Sequence, residues 1–242
     1  MPTIAILGAG PGLGRAVAYR YAREGYDIVL VGRNLDRLQE LTSGLTALGV
    51  TVHPIAGDLS DYEAIGELAG RVRDAAGDPD VLYFAPVSSD VTFVPAAQQS
   101  AETAARITSL LYFSLVALVQ EFLPHMLASG NGAILTAQGA SALSGLAGMS
   151  GPGPAAAAQR NYLQSLSSEV GERGVFVGRL YISSIIGGSV IDQQMQAARN
   201  AGIEVPEATV IPAEELADRL WAMQENFGPN EAIVPQSSPF TA

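Results

Sequence analysis

The stretch Gly8-Ala9-Gly10-Pro11-Gly12-Leu13-Gly14 constrains this chain more than any other. It follows a short apolar run over residues 3–7 and leads into an amphipathic run over 15–24. Strand, glycine-rich turn and helix in that order bring backbone N–H groups, and the positive end of a helix, up against a phosphate. Glycine suits such a turn because it accepts positive φ and lets a ligand approach the backbone closely.

The remaining sequence alternates in the same rhythm. Strand-like runs are expected at 28–31, 51–55, 81–84, 133–136, 175–182 and 232–234. Between them, helical patterns cover about 35–47, 101–127 and 154–172. A further helix opens at Ser60-Asp61-Tyr62-Glu63, which reads as a capping box, and a last one begins near Pro212. Strands that alternate with helices and carry continuous apolar runs form a parallel sheet buried on both faces. The expectation is an α/β, three-layer, doubly wound sheet of about seven strands, of the Rossmann type. Neither an internal repeat nor a linker divides the chain, so residues 1–242 read as a single domain. Residues 183–210 fit no element; they follow the sixth strand, on the side where such sheets bind ligands, and are a candidate substrate lid or a surface loop.

Composition narrows the function. A formal charge of −11 argues against nucleic acid or an anionic membrane as partner. The chain has no cysteine and only two histidines, His53 and His125, so disulfides, thiolate metal centres and a histidine-rich metal site are not expected. The longest apolar run, 107–123, contains Thr108, Ser109, Ser114, Gln120 and Glu121, which suits a buried or interface helix better than a membrane span. Met1-Pro2 leads straight into the first strand, so neither a leader nor a location other than the cytoplasm is expected. All thirteen basic residues are arginine. No chemical step here can depend on a lysine amine.

The glycine spacing refines the reading. The pattern G-x-G-x-x-G fails from Gly8 and from Gly12, whereas G-x-x-x-G-x-G fits through Gly8, Gly12 and Gly14. That spacing resembles the short-chain dehydrogenase/reductase family. The resemblance implies a nicotinamide dinucleotide held by Gly8, Pro11, Gly12, Leu13 and Gly14. The second strand ends Val31-Gly32-Arg33, with glycine in place of the acid that would bind the ribose of NAD; Arg33 offers a charged fork to a 2′-phosphate, so NADP(H) is expected over NAD(H). Asp58-Leu59 resembles the family's adenine contact, and in Tyr83-Phe84-Ala85-Pro86 only Ala85 matches the family's Asn-Asn-Ala-Gly stretch.

The resemblance breaks at the reaction centre. Leu123-Pro124-His125-Met126, Gly132-Ala133-Ile134-Leu135 and Gln164-Ser165-Leu166 set the register. Through them the family's catalytic asparagine falls on Leu111, its serine on Gly139, its tyrosine on Pro152 and its lysine on Ala156. A positioned general acid contributes about 10²–10⁴-fold in rate, so ordinary carbonyl reduction without one is slow. Replacement candidates are Gln138 and Ser141 beside Gly139, and Tyr181 at the end of the sixth strand; Arg160 lies one turn beyond Ala156. The small residues of 152–158 open space for a bulky, apolar small-molecule substrate.

Three functions fit these residues. One is an NADP(H)-dependent reductase acting on an activated acceptor, such as an iminium or conjugated system, or on a bulky apolar substrate. Another is a non-redox cyclase, lyase or isomerase reusing the pocket. The third is a non-catalytic dinucleotide sensor or partner protein. By analogy with the family, the apolar helix 107–123 and the helix after Pro154 would pair subunits into a homodimer or homotetramer.

Overall fold

The computed structural model describes residues 1–87, 92–205 and 207–237. Its main sheet contains β1 (Thr3–Leu7), β2 (Asp27–Gly32), β3 (Val52–Ala56), β4 (Val81–Phe84), β5 (Gly132–Gly139), β6 (Val175–Ile182) and, past a small two-stranded sheet, β9 (Glu231–Val234). The strand order is β3-β2-β1-β4-β5-β6-β9 and every pairing is parallel. Sheet order reverses between β1 and β4, the point where ligands sit in doubly wound sheets. Pro54 is tolerated in β3 because that strand lies at an edge.

Strand alternation sends side chains to two cores. Ile4, Ile6, Ile28 and Leu30 pack under α1 (Leu13–Arg23), α2 (Leu35–Thr46) and α8 (Ala213–Glu225). Ala5, Leu7, Val29 and Val31 pack under α3 (Ile65–Ala76), α5 (Ser114–Ser129) and α6 (Pro152–Val170). Both faces are therefore covered, as the unbroken apolar strands require.

Three expectations change in detail. The long apolar helix divides into α4 (Ala101–Thr108), a π turn (Ser109–Phe113) and α5. The stretch Ala101–Ser129 is long and apolar enough to cross a membrane, yet Leu110, Leu115, Leu118, Phe122 and Met126 are buried against the sheet. Ahead of α3 a 3-10 turn (Tyr62–Ala64) intervenes, capped by Asp61, whose Oδ1 accepts from the Ala64 amide at 3.3 Å, while Ser60 turns back to Asp58. Residues 183–210 are not a plain loop. They carry β7 (Ile185–Ile186), α7 (Val190–Asn200) and the start of β8 (Val210–Ile211), with β7 and β8 forming the separate parallel pair.

Candidate active site

The glycine turn closes tightly at the end of β1. Gly8 has φ +108°, and a Cβ there would stand 2.7 Å from the Ala85 carbonyl oxygen. A Cβ on Gly14 would stand 2.4 Å from the Gly8 carbonyl oxygen, so the first turn of α1 seats directly on the strand end. The amides of Gly8 and Ala9 donate to the Val31 carbonyl at 3.2 and 3.1 Å, and those of Arg15 and Ala16 donate to Gly10 and Gly12 at 3.0 and 3.2 Å. Gly12 caps α1 without a side-chain bond, and the first turn holds no acidic residue. The first turn of α1 thus brings neither a side-chain cap nor an acid of its own to its leading amides.

The segment after β6 lies across this turn. A Cβ on Gly12 would meet the Ser189 Cβ at 3.1 Å. Beside that contact a cavity of about 350 Å³ is lined by Pro11, Gly12, Arg15, Gly187, Gly188 and Glu214, among others. Asp192, buried in α7, holds the Gly188 turn: its Oδ2 accepts from the Gly188 amide at 2.8 Å and from Gln196 Nε2 at 2.9 Å.

The other nucleotide candidates fall along the same edge. Arg33 stands exposed past β2. The Asp58 carboxylate accepts from the Ser60 amide at 2.9 Å and hydroxyl at 2.7 Å; these bonds, with the nearby Arg33 charge, lower its pKa. Leu59 is buried in the core, and its carbonyl takes the Ser114 hydroxyl. Ala85, half-buried, donates its amide to the Leu7 carbonyl at 3.1 Å and so joins β4 to the glycine turn.

At the ends of β5 and β6 the picture differs. Leu111 sits in the π turn, where its carbonyl accepts from Gln159 Nε2. Gly139 is exposed, Pro152 opens α6, and Ala156 is buried with Ala140, Ala142 and Tyr181. The three replacement candidates differ in their surroundings, although Gln138 and Tyr181 are register partners on β5 and β6. Ser141 is buried against the start of α6, its carbonyl 3.3 Å from where a Gly153 Cβ would lie. Gln138 has both amide atoms buried with no hydrogen-bond partner among the described residues. Tyr181 donates its hydroxyl to Glu231 Oε1 at 3.2 Å. Burial, and then the Glu231 charge, raise its pKa well above the ordinary phenol value. As an acid Tyr181 is therefore spoken for.

Glu231 is the residue that sequence reasoning missed. Arg160 meets it with two bonds, Nε to Oε1 at 3.1 Å and Nη2 to Oε2 at 3.0 Å. Gln164 Nε2 and Arg179 Nε each donate to Oε1 at 3.0 Å, and buried Arg179 also reaches the Leu163 carbonyl at 2.9 Å. Burial pushes the Glu231 pKa up, but the Arg160 bonds and the two guanidinium charges outweigh it and leave the value lowered. Arg160 thus braces α6 against β9. The signal was an arginine inside the apolar strand 175–182, which demands a buried partner.

Fold and site together define a parallel α/β protein with a dinucleotide-type glycine turn at the sheet's switch point. Residues 2–204 match the short chain dehydrogenase family model, and the chain belongs to that family. It is 28% identical over 223 residues to 1-deoxy-11-beta-hydroxypentalenate dehydrogenase of Streptomyces exfoliatus, covering 89% of this chain and 77% of that one. A short-chain dehydrogenase from Sphingobium yanoikuyae, in complex with NADPH, superposes with TM-score 0.80 at 27% identity, over 98% of this chain and 89% of that one. The bulky-bulky ketone specific alcohol dehydrogenase from Comamonas testosteroni shares the fold at TM-score 0.80, with 23% identity over 99% and 88%.

Proposed function

We propose that this protein is an NADP(H)-dependent oxidoreductase whose reaction centre lacks the family's asparagine, serine, tyrosine and lysine. It acts on a bulky apolar substrate or on an acceptor already activated, such as an iminium or a conjugated system. The observation that carries this is the contrast at one edge of the sheet: an α1 N-terminus with no side-chain cap and no first-turn acid, and, past β4, β5 and β6, Leu111, Gly139, Pro152 and Ala156 at the positions of the family's catalytic groups.

The residues present fit the cofactor. The Gly8 and Ala9 amides are taken by Val31 and the Gly10 amide by Gly8, so the amides of Gly12, Leu13 and Gly14, just past Pro11, are the ones that would meet a diphosphate. Arg33 takes the 2′-phosphate and thereby selects NADP(H) over NAD(H). Asp58 and Leu59 border the adenine, and Ala85 sits between the glycine turn and the nicotinamide. When bound, the reduced cofactor supplies a hydride. The chain's own part is then to position the acceptor and exclude water, since positioning alone lowers a barrier by up to about 7–11 kcal/mol. Residues 183–210 serve as the lid. The sequence relative named 1-deoxy-11-beta-hydroxypentalenate dehydrogenase and the fold relative specific for bulky-bulky ketones support a large substrate. Subunits pair as a homodimer or homotetramer through α5 and α6.

The test follows NADPH oxidation with cyclic iminium ions and enones against simple dialkyl ketones. Turnover of the first group at least about 100-fold faster is expected, because an unassisted ketone forgoes the acid catalysis worth about 10²–10⁴. Equal turnover of both groups would contradict an acid-free centre. Binding without oxidation of NADPH by any acceptor would point to non-redox chemistry or to a sensor.

A further inference from the structure

Helices α1 and α8 pack against each other, and charged residues line the seam between them. One cross-seam pair is closed. Arg20 Nε stands 3.3 Å from Asp218 Oδ1, and the same guanidinium lies 5.1 Å over the Trp221 ring. One turn nearer the start of both helices the pair is open. Arg15 and Glu214 line one cavity, yet neither is ion-paired with the other or with any described residue. The Arg15 guanidinium is held instead over the Tyr19 ring, at 5.0 Å.

The cavity they line measures about 350 Å³, inside the span of roughly 300–1,000 Å³ usual for small-molecule sites. Its other walls are apolar side chains, Val210, Pro212 and Ala213 with Pro11, and the bare backbone of Gly187 and Gly188. Glycine keeps that side open: a Cβ on Gly187 would stand 3.3 Å from the Ile211 carbonyl oxygen, and Gly188 has φ +72°. The same Arg15 and Glu214 also border a second hollow of about 190 Å³ along the seam. The larger cavity meets the glycine turn at Pro11 and Gly12, but Gly8, Arg33, Asp58 and Ala85 take no part in it. It faces α8, not the nucleotide candidates past β2 and β3.

Two opposite charges held apart beside an apolar wall have a particular complement. A carboxylate alone would meet Glu214 as a like charge, and an amine alone would meet Arg15. A molecule carrying both groups answers both, each through a charge-assisted bond. We propose that this seam binds a free α-amino acid with an apolar side chain, its carboxylate on the Arg15 guanidinium, its ammonium on the Glu214 carboxylate and its side chain against Pro11, Val210 and Pro212. Such a zwitterion has no net charge, so the −11 of the chain does not repel it as it would an anion. Gly187 and Gly188 belong to the turn that Asp192 holds, so an occupant ties that turn to α1 and α8. The site stands independently of the cofactor reading.

Ligand-observed NMR titration of the full chain, with and without NADPH, tests it with four probes. L-leucine carries both charges and the body; 4-methylpentanoate lacks the ammonium, 3-methylbutylamine lacks the carboxylate and glycine lacks the body. L-leucine is expected to saturate in the millimolar range and to bind at least about tenfold tighter than each of the others, the size of one charge-assisted contact. Glu214→Gln should erase the preference over 4-methylpentanoate, and Arg15→Gln the preference over 3-methylbutylamine. Glu214→Ala and Arg15→Met are the second variants, with cooperative thermal unfolding as the check on folding. Equal binding of L-leucine and either singly charged analogue, preferences that survive the matching substitutions, or no binding of L-leucine would overturn the proposal. Competitive displacement of L-leucine by NADPH would overturn it too, by making the cavity part of the nucleotide site. L-leucine binding without any NADPH binding would sink the cofactor reading alone.

Discussion

The two halves of the sheet's carboxyl edge solve opposite problems. Past β1 the glycine turn packs backbone against backbone: the Gly8 and Gly14 positions leave no room for a side chain. Past β5 and β6, polar side chains are abundant, but they are either locked to one another or left without partners. Tyr181, Arg160, Arg179 and Gln164 all converge on Glu231, while Gln138 bonds to nothing described. The first half keeps the first turn of α1 free of acidic side chains. The second spends its charged groups on holding α6, β6 and β9 together.

The contrast breaks most easily at Glu231. Glu231→Ala leaves Arg179, whose side chain is only 5% exposed, with an unmatched charge. A loss of about 3 kcal/mol in urea denaturation is expected, the lower end for breaking a buried pair because Glu231 itself is partly exposed. The same carboxylate makes stability pH-dependent. Its folded pKa is lowered, so its contribution is full above the unfolded value and fades as the pH falls through the folded one. Glu231→Gln should flatten that acid limb; an unchanged limb would show that the cluster is not what acid dismantles.

Next in size is the cradle. Gly14→Ala forces a methyl into the Gly8 carbonyl and should cost about 1–3 kcal/mol, as overpacking does, with loss of measurable NADPH binding. Arg33→Asp touches only the end of β2 and should weaken NADPH about tenfold or more while leaving NADH nearly unaffected, read by cofactor fluorescence. Equal losses for the two would mean Arg33 does not read the 2′-phosphate. The smallest effect belongs to the half past β5 and β6. Gly139 has φ −61° and open space, so Gly139→Ser should change stability by less than about 0.5 kcal/mol in thermal unfolding.

Most of the fold was legible because parallel strands buried on both faces are written as unbroken apolar runs, and because the glycine turn marks the first crossover. Details that depend on distant partners were not. The π turn at Ser109–Phe113 answers to Gln159 in α6, and the Glu231 cluster joins residues 52 and 71 positions apart. Ser60 reads locally as a cap, yet its hydroxyl goes to Asp58 and Asp61 takes the role. Residues 183–210 hide their short strands and α7 because α7 buries Asp192 in place of an apolar stripe. At the site, the glycine turn between β1 and α1 could be placed from spacing alone. The fate of Tyr181 could not, because nothing near it in sequence announces Glu231.

The most direct test of a retained cradle is a fluorescence titration of the wild-type chain with NADPH and with NADH. Saturation by NADPH at least about tenfold tighter than by NADH is predicted, one charge-assisted contact's worth of selectivity. Failure of NADPH to saturate in the millimolar range would contradict it.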